Sequence, residues 1–369
     1  MHYFGPWDDP DGALTKYLEQ KDDLYAGRKP RPAGSDAPTV CDLLNRFMIS
    51  KELLRDGGEI TPRSFDDYKA SCERIREAFG LNRRLDDLRP EDFEQLRAKL
   101  AKTRGPVALG NEIQRMRVVF KYAYDADLID RPVRYGPGFK RPSKKVLRKA
   151  RAARGPRMFE AFEVRALVEG ALVVGAEGPE LVRASAAVRG MAALGINAGF
   201  GNTDVGRLPL SALDLDAGWV NFPRPKTAVE RRCPLWPETV AALREAITER
   251  PTPKKEADAG LVFVTKYGGR WAKDTRDNPV TKELAKLLKA LGMHRPGLNF
   301  YALRHSFETV GGESRDQVAV DHIMGHVRDD MASEYRERIS DGRLRAVTDH
   351  VRAWLFGDEA AAGSPAAGV

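Results

Sequence analysis

Twenty-eight consecutive residues, 131 to 158, hold eleven lysines and arginines and no acidic side chain, with Pro132, Pro137 and Pro142 spaced through the first half. Proline brings no backbone N–H to a helix or sheet and restricts the residue before it. The stretch therefore separates two folding units, the division expected of a 369-residue chain. Its basicity is local: of 61 basic and 53 acidic residues, 50 and 53 lie outside it, so the remainder is slightly negative. A run of one sign on an otherwise balanced chain is suited to tracking a polyanion, and a solvated linker without a partner is the plain alternative.

Other classes find little support. No window approaches 18 uninterrupted apolar residues, and the opening MHYFGPWDDPDGALTKY has neither a basic n-region nor an apolar core. A cytoplasmic protein with no membrane partner is expected. Cys41, Cys72 and Cys233 are odd in number and far apart, which suits apolar fillers better than disulfides or a cysteine zinc site.

Residues 1–37 end in AGRKPRPAGSDAP and read as an arm plus linker. Residues 38–131 read as a four-helix unit. In TPRSFDDYKASCERIREAFG, Thr61 is the expected N-cap and Pro62 the first helical residue. Phe65, Tyr68, Cys72, Ile75 and Phe79 recur at helical spacing until Gly80. A helix over Val40 to Leu54, one through Phe93, Leu96 and Leu100, and one burying Ile113, Met116, Phe120 and Tyr124 complete it. Arg115, Arg117 and Lys121 lie off the last apolar stripe. With Lys140, Arg141, Lys144 and Lys145 of the basic linker (132–157) they are the candidate DNA contacts, although a solvated helix face explains the helical three equally well.

The second unit, 158–357, begins with a helix at Glu160 that the Ala-rich segment LVRASAAVRGMAALGINAG is expected to continue. LDLDAGWVNFPRPKTAVERRCPL has β-forming residues on both sides of Lys226, a short sheet with an exposed turn. Helices return at Thr281. The last sets Leu344, Val347, Val351 and Trp354 on one face, to pack on its own chain or on a neighbour, and the tail 358–369 has the composition of disordered chain.

Three separated pieces carry chemistry when taken in order: PKT at Lys226, YALRHSF around Arg304, and GHVRDDMASEY from His326 to Tyr335. A turn lysine, an x-x-L-R-H-[ST]-F helix, G-H, and a tyrosine nine residues later resemble the tyrosine recombinase, or phage integrase, family over roughly residues 38–356. The resemblance implies a mainly α fold with a small β-sheet: an N-terminal helical core-binding (SAM-like) domain, then a C-terminal α+β catalytic domain. It further implies double-stranded DNA as partner, a homo-tetramer on paired sites, association with the bacterial nucleoid when bound, and DNA recombination or integration without cofactor or metal. Tyr335 would attack phosphorus to form a 3′-phosphotyrosine. Arg304 and His326 would stabilise the phosphate, Lys226 would protonate the leaving oxygen, and Tyr301 would add a hydrogen bond. Each residue also has a plainer reading: Tyr335 as a surface aromatic, His326 beside Gly325 as a helix start, Arg304 as a salt-bridge partner, Lys226 as a solvated turn lysine.

Other motifs are weaker. His322 and His326 have the i, i+4 spacing of a zinc pair, but H-I-M-G-H lacks the metalloprotease glutamate. GFGNTDVG has Asp204 where a dinucleotide fingerprint needs glycine. The same segment departs from the resembled family. Where T-G-x-R-x-x-[ED] is usual, Gly201 takes the arginine's position and Asp204 the acid's, and Tyr301 takes a position usually held by histidine. Arg224, Arg231 and Arg232 flank the Lys226 turn and are candidates to fill the gap; Arg207, about 240° round a helix from 201, is not. A DNA-binding protein that keeps the fold without turnover, and a phosphotyrosine enzyme that relaxes DNA alone like type IB topoisomerases, are the rival expectations.

Overall fold

The computed structural model describes residues 3–25, 37–175, 178–273, 278–327, 331, 335 and 337–357. The expected disordered tail, 358–369, lies outside them. Contacts divide the chain into two compact units, 1–153 and 154–369.

In the first unit α1 (Pro10–Tyr25) forms the arm, and four helices follow: α2 (Val40–Asp56), α3 (Pro62–Phe79), α4 (Pro90–Ala101) and α5 (Pro106–Asp125). Local signals set their ends. The Thr61 hydroxyl accepts from Ser64 N at 3.1 Å, Pro62 opens α3, and Gly80 ends it at φ +78°. Thr39 and Asp42 form a capping box at the start of α2. Ile75, Phe79, Phe93, Leu96, Ile113, Met116 and Phe120 are buried as their spacing predicts, whereas Tyr124 faces solvent. That position lies one residue beyond Ala123, the last buried side chain of α5.

Parts of the basic segment are folded. Phe139 is fully buried in the first core, its ring 5.2 Å from that of Phe93, and Tyr135 packs on the same ring. Burying a phenylalanine contributes about 2 to 3 kcal/mol, enough to tie this part of the segment down despite its prolines. Beyond Pro142 the chain forms α6 (Lys144–Arg154), which buries no side chain.

The second unit opens with α7 (Ala161–Glu169), which does not run on as expected. Gly170, at φ +96°, stops it, and β1 (Ala171–Gly175) and β2 (Gly178–Val182) form an antiparallel hairpin. Leu172, Val173 and Val174 have the spacing of neither element alone, and the glycine and β-branched residues decide for strand. α8 (Ala186–Asn197) is buried almost all round and packs against α7, α10 (Pro237–Thr248) and α12 (Tyr301–Glu313). After α9 (Asn202–Arg207), strands β3 (Leu213–Asp214), β4 (Trp219–Asn221) and β5 (Arg232–Pro234) make the antiparallel sheet in order β3-β4-β5, with Val220 opposite Cys233. Buried Asn197 joins α8 to this sheet, donating to Pro234 O at 3.0 Å and accepting from Trp236 N at 2.9 Å.

α11 (Pro279–Ala290) and α13 (Gln317–Met324) lead to α14 (Asp341–Phe356). Leu344, Val347, Val351 and Leu355 of α14 are buried in this chain's own core, and Trp236 donates from its indole to Thr348 O at 3.0 Å. Cys72 and Cys233 are buried and Cys41 half-buried, all as free thiols. Among the described residues no helix is long and apolar enough to cross a membrane.

Candidate active site

Arg304 lies on the buried face of α12, between Leu303 and Phe307, and is 2% exposed. No carboxylate pairs with it among the described residues. Nη1 donates to Gly199 O at 2.6 Å, and Nη2 donates to Met324 O at 2.8 Å and lies 2.9 Å from His326 Nε2. A guanidinium only donates, so His326 Nε2 accepts and the ring proton sits on Nδ1, 3.2 Å from Asp321 Oδ1. Burial first, then the charge of Arg224, push Arg304 down to about 10. Withdrawing a cation from water without a counter-ion costs several kcal/mol, so an ordinary salt-bridge role is excluded among the described residues.

The backbone is shaped for this arrangement. Gly199 has φ +61°, and a Cβ there would meet Met324 and Phe307 at 3.1 Å. Gly325 caps the C-terminus of α13 at φ +64°, so His326 follows a helix end rather than starting a helix. A Cβ on Gly325 would lie 2.9 Å from Arg224 Cβ.

The β4–β5 hairpin brings Lys226 to the same place. Phe222 N bonds to Arg231 O at 3.2 Å and Arg224 N to Val229 O at 2.9 Å, and the turn closes with Ala228 N on Arg224 O at 2.8 Å. Thr227 Oγ1 and Arg224 Nη1 donate to Gly325 O, at 3.2 and 3.3 Å, so the turn is fastened beside His326 while Lys226 itself is exposed.

Around Gly201 the three flanking arginines part ways. Arg231, 3% exposed, stands 3.0 Å from Asp204 Oδ1 through Nη2, donates from Nε to Phe222 O at 2.6 Å, and lies 4.0 Å over the Phe200 ring. Asp204 in turn accepts from Gly201 N at 2.6 Å. Burial lowers the Arg231 pKa, with Asp204 opposing. Arg232 points elsewhere, pairing with Asp341 and lying 3.8 Å over Trp219. Arg224 is half-buried and has no ion-pair partner among the described residues. The Tyr301 ring lies 3.4 Å from where a Cβ on Gly201 would sit, so the two unusual residues are neighbours in space.

Arg304, His326, Tyr301 and the Lys226 turn are thus assembled from α12, the end of α13 and the hairpin. Tyr335 is 78% exposed, and among the described residues no hydrogen bond joins it to the cluster. The expected DNA contacts divide. Arg115 is paired with Asp67 at 2.8 Å, Arg117 lies 5.0 Å over the Tyr135 ring, and Lys121 pairs with Asp125. Lys140, Arg141, Lys144 and Lys145 are exposed.

Sequence reasoning missed the acids behind His326. Asp321 and Glu308 lie 3.2 and 3.9 Å from Nδ1, and the three side chains are the one group among the described residues whose donors could together hold a metal ion. Gln317 donates to both acids, at 2.9 Å to Glu308 and 3.1 Å to Asp321. His322, the other histidine of the i, i+4 pair, is outside this group, its pKa lowered by burial.

A helical unit followed by an α+β unit of this design is the tyrosine recombinase fold. A lambda integrase dimer bound to a COC′ core site matches with a TM-score of 0.57 at 18% identity, over 91% of this chain and 90% of that one. A lambda integrase tetramer bound to a Holliday junction matches at 0.58 and 18%, over 92% and 91%. A Tn1549 transposon integrase in complex with circular intermediate DNA matches at 0.59 and 16%, over 85% and 100%. Residues 176–340 match the phage integrase family. No curated protein matches the sequence.

Proposed function

We propose that this protein is a site-specific DNA recombinase that cuts and rejoins strands through a 3′-phosphotyrosine. The observation that carries the reading is Arg304, a buried guanidinium with no carboxylate among the described residues, whose missing counter-charge a DNA phosphate supplies. Tyr335 Oη bonds to phosphorus as its proton passes to water. The bond from phosphorus to the 5′-oxygen breaks, and that oxygen takes a proton from Lys226. Arg304 neutralises the non-bridging oxygens; His326, held by Asp321, adds a donor when Nε2 is protonated; Tyr301 adds a hydroxyl. Attack by a second strand's 5′-hydroxyl reverses these steps and rejoins DNA, with energy kept in the phosphotyrosine bond.

The basic segment through Lys140, Arg141, Lys144 and Lys145 supplies sequence-independent phosphate contacts, and Arg115, Arg117 and Lys121 must leave their intramolecular partners to do the same. The lambda integrase tetramer on a Holliday junction supports four protomers as the working assembly. The test is recombination between two plasmid copies of the DNA flanking the protein's own gene, in EDTA and without ATP. Product that requires both copies supports the reading. Relaxation of a plasmid carrying a single copy, with no exchange, favours a topoisomerase, and salt-sensitive binding with neither reaction favours a fold kept for binding.

A further inference from the structure

We propose that Arg224 supplies the phosphate contact that the arginine absent at position 201 would otherwise make, with Arg231 as the residue that positions it. This rests on the recombinase reading above. Arg224 and Arg304 donate to successive carbonyls of one turn, Gly325 O at 3.3 Å and Met324 O at 2.8 Å, so the guanidiniums sit side by side at the His326 end of α13. The stem of Arg231 flanks the same glycine, its Cδ 3.4 Å from where a Cβ on Gly325 would lie. Of the three arginines only Arg231 has an ion pair among the described residues, with Asp204. Three neighbouring cations with a single ion pair among the described residues leave local positive charge that an anion relieves.

The individual environments decide which arginine takes the anion. Arg231 is fixed and enclosed rather than open to a ligand: it is 3% exposed, its Nε is held by Phe222 O, one face lies on Phe200 and Nη2 stands 3.0 Å from Asp204, although among the described residues neither Nη1 nor Nη2 makes a hydrogen bond. Arg232 is removed to Asp341 and Trp219. Arg224 is half-exposed, has one long hydrogen bond, and sits two residues before Lys226 on the same fastened turn. Burial first, and then the charge of Arg224, lowers both Arg304 and Arg231, as expected of guanidiniums held close together in the fold. The Tyr301 ring lies 3.4 Å from where a Cβ on Gly201 would sit.

The test measures formation of the covalent protein–DNA adduct by wild type, Arg224→Gln and Arg232→Gln. One duplex carries the natural phosphodiester at the position where wild type attaches, and the other an uncharged methylphosphonate there. Loss of one oxyanion donor costs about 10² to 10³ in rate. Arg224→Gln should fall by that factor on the phosphodiester and by less than about tenfold on the methylphosphonate, which has little charge to neutralise. Arg232→Gln should stay within a few-fold of wild type on both. Equal losses by Arg224→Gln on the two DNAs, which a merely structural role gives, or no loss at all, would overturn the proposal and leave the recombinase reading standing. Absence of an adduct with wild type would remove both.

Discussion

At Arg304 the molecule carries an electrostatic cost that serves no purpose in the isolated chain. The unfolded chain keeps an arginine protonated to far higher pH than the folded value of about 10. The cost is therefore fully present below pH 10 and is relieved as pH rises through it, because the unfolded state then binds more protons. Stability of wild type relative to Arg304→Gln, from urea denaturation, should be flat between pH 7 and 9 and then rise by about 1.4 kcal/mol per pH unit above 10. An oxyanion should relieve the same cost at neutral pH. Sulfate, at fixed ionic strength and tenfold above its dissociation constant, should stabilise wild type by about 1.4 kcal/mol more than Arg304→Gln, read as a difference in Tm. Equal shifts in the two proteins would remove the anion site. That Lys226, Arg304 and His326 belong together was legible in the sequence, because their motifs follow an ordered pattern. The residues that orient them were not. Asp321 and Glu308 reach His326 from α13 and α12, and Arg231 meets Asp204 across 27 positions, pairings that no local spacing records.

Among the elements, the turn after α13 is packed most closely against the candidate site, through Gly325, Arg224 and Arg231. Gly325→Ala forces a left-handed φ on a side chain and drives its Cβ against Arg224, so it should lower stability by about 1 to 2 kcal/mol and adduct formation by a larger factor than that loss accounts for. Gly201→Ala finds its nearest neighbours at 3.3 to 3.4 Å and has no left-handed φ, so the change should cost only what the weaker N-cap loses, about 0.5 to 1 kcal/mol. Denaturant titration of the two variants separates them, and equal losses would refute the tight fit at Gly325. The helix α6 makes a different claim. With no buried side chain it has no packing to lose, so Lys144→Gln with Lys145→Gln should leave Tm unchanged, weaken binding to every sequence alike, and flatten the plot of log K against log salt by about 2. Unchanged binding would take α6 out of the interface. Elements with capping residues and a clear apolar stripe, such as α3, were legible. The β1–β2 hairpin was hidden because ALVV fits a helix as well as a strand until Gly170 intervenes, and Phe139 was hidden by the charge and prolines around it.

For the whole molecule, two units with separate cores suit the two tasks of the proposed recombinase reading, DNA grip and chemistry. A fragment of residues 37–153 should unfold cooperatively alone and retain salt-dependent DNA binding without any cleavage; failure to fold would mean that the first core depends on the second. Between the units' two tasks, the chemical one is the central claim, and it stands on Tyr335. The direct measurement is covalent trapping on nicked duplexes from the DNA flanking the gene, followed by denaturation and mapping of the DNA-linked peptide, with Tyr335→Phe alongside. The account predicts an adduct on the peptide that holds Tyr335 and none with Tyr335→Phe. An adduct that survives the substitution, or wild-type protein that binds this DNA tightly and forms none, would contradict it.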